Sequence, residues 1–221
     1  MSAPQVEISV EAAREAIRTD CTEDTEDTHA HLTRPTLLFM SGARRDSAPW
    51  YSQRVREELW RLHHNASGVV FRQGEWSLGE MRKATFCLCP SGWGFGWRTY
   101  LALATLCVPV IIQPLVRQAF HDLLPYERMA LFFDPSDVAR LPDLLRAVPP
   151  QRVCELRATA ARYYRAVMWE PEGGGLAYDM LQLSLCRRAV ALHRRLRRGS
   201  SSDPEWAACA HVTPEDIMSR G

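Results

Sequence analysis

The sequence is short of the features that mark the more specialised protein classes. Its seven cysteines include no Cys-x-x-Cys pair and are too few for a disulfide-dense mini-protein. With 12 glycines and 14 prolines, a collagen-like or low-complexity chain is excluded. A formal charge of +1 leaves no bulk field to hold nucleic acid or a membrane surface, so no nucleic-acid partner is expected. Residues 1–27 are polar and acidic and contain no apolar stretch of the secretory-signal kind. The most apolar run, Leu101 to Ile112, is about twelve residues, too few to cross a bilayer. Both GxGxxG and the GxxxxGK[ST] phosphate loop are missing.

What is present is enough for a sizeable core: 46% of the 221 residues are apolar. The near-neutral total averages two opposed ends. Glu7 to Asp27 holds eight acids and two arginines, whereas Arg187 to Arg198 holds six arginines and no acid. The basic run is read as a solvated helix end. The cysteines are read first as buried reduced thiols, second as disulfides of an oxidising lumen. Cys87 and Cys89, two apart on a strand, share a face. A metal site is not expected, for want of a Cys/His ligand set.

Apolar runs predict strands at Thr36–Met40, Val69–Phe71, Thr85–Cys89, Val108–Ile112 and Leu131–Phe133. Helices are expected at Val10–Ile17, Tyr51–His63 (stripe Val55, Leu59, Leu62), Ser77–Lys83 and Trp97–Leu106. Further ones run from a Ser136 cap to about Ala147, over Gln151–Met168 and over Leu176–Leu196. Ser77 caps its helix, with Glu80 three residues on. Strands that are apolar throughout and alternate with helices imply an α/β fold, a Rossmann-like parallel sheet covered by helices on both faces. The expected organisation is an acidic lead-in (1–34), an α/β domain (35–170), a basic helix (171–198) and a tail (199–221).

The most informative unit is strand, glycine-rich loop, helix and strand around Pro90–Gly96. Ligands of open α/β sheets sit at the carboxyl ends of strands, and a helix N-terminus suits phosphate. Arg98, in the first turn of the helix, opposes the helix dipole unless an anion lies between. The bland alternative is a structural turn beside a surface arginine. Trp93, Phe95 and Trp97 alternate through the loop, as stacking or packing groups. The histidines (His29, His31, His63, His64), His121-Asp122 and Tyr163-Tyr164 form no evident catalytic or metal set.

The stretch KATFCLCPSGWGFGWRTYLALATLCVPVII resembles the signature of exostosin-type glycosyltransferases (GT47-like). Phe86-Cys87-Leu88-Cys89-Pro90, Gly92, Arg98 and Cys107-Val108-Pro109-Val110-Ile111 follow the family order and spacing. LLFMSG with VREEL, carrying Gly42 and Arg56, and LPYERMALFFDPSDVARLPDLL extend the likeness over residues 36 to 168. The resemblance implies the C-terminal, donor-binding half of a two-domain GT-B enzyme. Such an enzyme moves a sugar from a nucleotide sugar, usually a UDP-sugar, to a glycan acceptor with inversion. The donor is a substrate, and no permanently bound cofactor is implied. Gly42, Arg56, Ser91, Gly92, Trp93, Arg98 and Thr99 become the candidate donor-site residues, with Arg98 on the diphosphate. No catalytic residue is assigned: Glu75 and Glu80 have no constellation around them.

Two positions depart from the family. Leu101 stands where an acid would meet the ribose, and Leu106 stands where the family has glycine before Cys-Val-Pro. Residues 1–34 are too few for an acceptor domain, so a partner domain or subunit is expected to complete the enzyme. The alternative is an inactive, degenerate domain that binds a glycan or a protein. Full-length family members imply a Golgi membrane location.

Overall fold

The computed structural model describes residues 15, 17, 21, 34–43, 48, 50–74, 77–92, 96–197 and 204–219. The expected helix over Val10–Ile17 lies outside these except for Glu15 and Ile17, which are helical. The chain divides into two compact units. Of the described residues, one holds those up to Gln118 together with Tyr126–Ala161, and the other holds Ala119–Pro125 and those from Arg162 onward.

The first unit is built on five parallel strands: β1 (Thr36–Ser41), β2 (Val69–Arg72), β3 (Ala84–Pro90), β4 (Val108–Ile112) and β5 (Leu131–Phe132). Their order is β2-β1-β3-β4-β5, and every neighbouring pair is parallel. The helices are α1 (Val55–His63), α2 (Leu78–Arg82), α3 (Trp97–Ala104), α4 (Leu141–Arg146) and α5 (Pro150–Tyr163). Alternate strand residues serve opposite faces. Leu38, Met40, Phe86, Leu88 and Val110 pack on Val55 and Leu59 of α1, Leu141 and Leu145 of α4, and Val153 of α5. Phe39, Cys87, Cys89 and Ile111 pack on Met81 of α2 and on Leu101 and Ala102 of α3. Both faces are thus covered, which is why β4 reads as an unbroken apolar run and β3 is interrupted only by Thr85. The α/β sheet is the one expected from the sequence.

Several boundaries differ. The helix expected from Tyr51 starts at Val55, because Ser52, Gln53 and Arg54 take positive φ and break the run. Its buried face is Val55, Arg56 and Leu59, while Leu62 faces solvent. Ser77 accepts a hydrogen bond from Glu80 N at 3.2 Å, as a cap should. The element after β5 is not capped by Ser136. Asp137 instead accepts from the Asp134 N–H at 3.0 Å across a 3-10 turn, and Pro142 sits in the first turn of α4.

Six of the seven cysteines are oxidised, contrary to the reading as reduced thiols: Cys21–Cys154, Cys87–Cys107 and Cys186–Cys209. Cys87 lies on β3 and Cys107 immediately precedes the adjacent β4, so the parallel register brings their Cα atoms to 5.6 Å. Only Cys89 stays a buried thiol.

In the second unit the long helix α6 spans Ala177–Leu196 and the short α7 spans Pro214–Met218. The residues expected as a tail are ordered at 204–219. Cys186–Cys209 ties them to α6, Arg187 Nη2 donates to Val212 O at 2.7 Å, and Tyr163 donates its hydroxyl proton to Glu215. Thr213 and Asp216 close a reciprocal capping box on α7, with bonds of 3.1 and 2.8 Å. No described helix is long and apolar enough to cross a membrane.

Candidate functional site

A sheet ordered 2-1-3-4-5 reverses its winding between β1 and β3. Crossovers from β1 and β3 leave in opposite directions, and a crevice opens beyond their carboxyl ends. The candidate residues gather there. β1 runs into Gly42, whose N–H donates to Arg72 O at 2.9 Å. β3 runs into Ser91 and Gly92, and Ser91 N–H donates to Ile112 O at 3.2 Å. The helices that follow these two strands, α1 and α3, deliver one arginine each.

Arg56 of α1 is almost completely buried. Its Nη1 donates to Ala43 O at 3.2 Å and its Nη2 to Ser91 O at 3.1 Å, so one guanidinium bridges the loops after β1 and β3. The Tyr51 ring lies 4.7 Å from it, in cation–π range. Arg98, in the first turn of α3, donates from Nε to Ser41 O at 2.9 Å. These carbonyl bonds orient the two guanidiniums without cancelling their charge. Burial pulls the Arg98 pKa below its ordinary value, opposed by the neighbouring Cys89 thiol and Tyr51 phenol.

The glycines are where side chains would obstruct. Gly42 has φ +123°, and a Cβ there would collide with Nη2 of Arg98. A Cβ on Gly92 would come within 3.0 Å of Nη2 of Arg56. Gly96, at φ 74°, opens α3 in a left-handed conformation. The two glycines at the strand ends therefore sit directly under the two cations.

Gly42, Arg56, Ser91, Gly92 and Arg98 lie together at the ends of β1 and β3. Ser91 Oγ is buried without a hydrogen-bond partner among the described residues. Thr99 is wholly buried beneath the helix start, its hydroxyl against the Cys89 thiol. Trp93 lies outside the described residues. Leu101 is wholly buried in the core beside Phe39 and Cys87 rather than lining the crevice. Asp134 and Asp137 are occupied in capping, and Glu80 meets Lys83 at 3.1 Å on the surface. Among the described residues no group of three or more His, Cys, Asp or Glu could hold a metal.

The structure adds residues that the sequence reading passed over. Gln113, the first residue after β4, donates to Cys89 O at 3.0 Å and accepts from Gln118 Nε2 at 3.0 Å. This buried amide pair flanks Gly96: each amide has an atom 3.4 Å from where a Cβ on Gly96 would lie. The position of Gln113 at a strand's carboxyl end was the available signal. Tyr51 had none, because its role depends on the left-handed turn that folds it back under Arg56.

The profile of the Exostosin GT47 domain matches residues 7–148. The chain belongs to this family. Among its relatives, a probable glucuronosyltransferase of Oryza sativa subsp. japonica is 28% identical over 128 residues, 56% of this chain and 30% of the relative. A probable beta-1,4-xylosyltransferase of Arabidopsis thaliana is 32% identical over 114 residues, 49% of this chain and 27% of the relative. A probable glucuronoxylan glucuronosyltransferase of Arabidopsis thaliana is 31% identical over 161 residues, 70% of this chain and 35% of the relative. The matched region spans about a third of the length of these relatives. Leu106, two residues beyond α3, carries φ 54°, a left-handed conformation that glycine adopts more readily.

Proposed function

We propose that this chain is the donor-binding part of a glycosyltransferase and holds a nucleotide sugar, of the UDP-sugar class, in the crevice between β1 and β3. The observation that carries this reading is the convergence of Arg56 and Arg98 over Gly42 and Gly92 at the strand ends. Two positive charges suit a diphosphate, with Arg56 adding its charge from beneath, where the Ala43 and Ser91 carbonyls hold it. The glycines let the two guanidiniums lie against the backbone at the strand ends, and the N-terminus of α3 adds partial positive charge.

The chemistry follows from charge. When a glycosyl donor breaks, negative charge builds on the departing diphosphate. Cations already fixed by Ser41, Ala43 and Ser91 carbonyls stabilise that charge without reorganising. Inverting transfer then needs a base on the glycan acceptor's hydroxyl. That base, in this reading, comes from the partner domain or subunit that completes a GT-B enzyme. The names of the relatives support a polysaccharide acceptor of the glucuronoxylan kind, and three disulfides support an oxidising compartment such as the Golgi lumen.

Isothermal titration of the chain with UDP and with uridine tests this. UDP is expected to bind the more tightly. Arg98→Ala should weaken UDP at least about tenfold, the loss of one charge-assisted hydrogen bond, and leave uridine nearly unchanged. Absence of UDP binding at millimolar concentration, or equal losses for both ligands, refutes the assignment.

A further inference from the structure

Helix α6 buries Ala177, Met180, Leu183, Ser184 and Val190 in its own unit. Its opposite face carries Tyr178, Leu181, Leu185, Leu192 and Leu196, and the last three of these are 58%, 56% and 75% exposed. Helical spacing sets the five in one strip along a helix about 30 Å long. Arg188 and Arg195 are exposed along one edge of that strip. Asp122 approaches Arg188 to 3.9 Å, yet the arginine side chain stays 64% exposed. From Met180 to Leu196 the helix contains no acid. A tryptophan stands towards each end: the partly buried Trp169 meets Tyr178 edge-on at 5.0 Å, and the exposed Trp206 meets His193 at 5.7 Å. A solvated helix end explains the arginines but not the leucines beside them.

This mixture of side chains selects the occupant. A dry protein interface would desolvate two arginines among leucines. A polysaccharide or an RNA would engage the arginines and leave the leucines in water. A phospholipid surface suits both kinds. Leucines enter the acyl boundary, while arginine stems lie along them and carry the guanidiniums out to headgroup phosphates. Tyrosine and tryptophan rings, apolar with one polar edge, belong at the depth of the headgroups. The whole chain has a charge of only +1, but this helix concentrates cations where a phosphate layer would meet them. Its arginines also keep it from crossing: no described helix is long and apolar enough to span a bilayer. The orientation that remains is flat, with the helix axis along the surface.

We propose that the exposed face of α6 lies flat on a phospholipid surface, its leucines in the acyl boundary and Arg188 and Arg195 on headgroup phosphates. The inference is independent of the donor site. Flotation of the full, oxidised chain with vesicles tests it, using phosphatidylcholine alone and phosphatidylcholine mixed equally with phosphatidylglycerol. The unaltered chain is expected to float with the mixed vesicles, more tightly than with phosphatidylcholine alone and less tightly as salt is raised. Leu185→Ser combined with Leu192→Ser should abolish flotation and leave the circular dichroism and melting temperature unchanged, since both positions face solvent. Arg188→Gln combined with Arg195→Gln should weaken binding to the mixed vesicles about tenfold or more. Lipids brominated on their acyl chains should quench the tryptophan fluorescence of the unaltered chain, and quench it less in Trp206→Phe. A chain that leaves the mixed vesicles unbound overturns the inference, whether it stays free, self-associates or binds a soluble polyanion such as polygalacturonate or RNA instead. So does flotation that survives the leucine pair or ignores the arginine pair, or fluorescence that brominated lipid does not quench.

Discussion

Arg98 reaches back from the first turn of α3 to the last residue of β1, donating from Nε to the Ser41 carbonyl at 2.9 Å. That bond lays the guanidinium over Gly42, at the carboxyl ends of β1 and β3.

Gly42→Ala tests this closeness. The added methyl meets Arg98 and is forced into φ +123°, a conformation that costs about 1–3 kcal/mol for a residue with a side chain. We expect a lower melting temperature and, because Arg98 must shift, UDP affinity reduced about tenfold or more. Denaturant titration and calorimetry separate the two effects. An alanine variant with unaltered affinity would show that the position of Arg98 over Gly42 is not needed for binding.

Leu106 offers a reversal of the usual size rule. Its N–H donates to Leu103 O at 3.2 Å and that of Cys107 to Ala102 O at 3.0 Å, a left-handed helix stop that favours glycine. The leucine is nevertheless buried. Truncation to alanine loses that burial, about 2–4 kcal/mol, and keeps the left-handed strain. Truncation to glycine loses the burial but relieves the strain. Leu106→Gly is therefore expected to be more stable than Leu106→Ala by about 0.5–1 kcal/mol, after allowing for the greater freedom of the unfolded glycine chain. The opposite order in urea melts would remove the strain argument.

Cys89 should be chemically silent. Burial pushes its thiol up to about 12, outweighing the lowering effects of Thr99 and Arg98. At pH 8 a thiol reagent should label no cysteine of the native, oxidised chain and one in denaturant. Native labelling of two or more would contradict the three disulfides.

The second unit carries a pH dependence of known sign. The hydrogen bond from the Tyr163 hydroxyl is the main cause that holds the Glu215 carboxylate below the ordinary glutamate range. A depressed carboxylate pKa contributes stability above its unfolded value, about 4.3, and that contribution fades as pH falls through the folded value. The stability gap between the unaltered chain and Tyr163→Phe should be about 0.5–1 kcal/mol above pH 5, allowing for the exposure of Glu215, and should shrink in more acid solution. A gap that widens on acidification would reverse the assignment.

How much of this was legible depended on the range of the cause. β4 was readable to the residue, because VPVII is apolar at every position and both its faces are covered. The start of α3 at Trp97 was readable because the glycine before it has a local reason to be there: Gly96 takes the left-handed conformation that opens the helix. The burial of Arg56 was not, since it follows from a turn of three left-handed residues and from carbonyls 13 and 35 positions away. Leu62 looked like core for the same reason: periodicity gives the stripe, but the packed face rotated toward Arg56. The cysteine partners, 20, 23 and 133 residues apart, depend on strand order and helix packing.

The bond between Cys87 and Cys107 joins two neighbouring strands, and everything between them lies inside the resulting ring. That includes Ser91, Gly92, Arg98 and all of α3. A protease that cuts once within this segment cannot release either end. The nicked protein should migrate as an intact chain until it is reduced, and both severed ends should remain tethered beside the crevice.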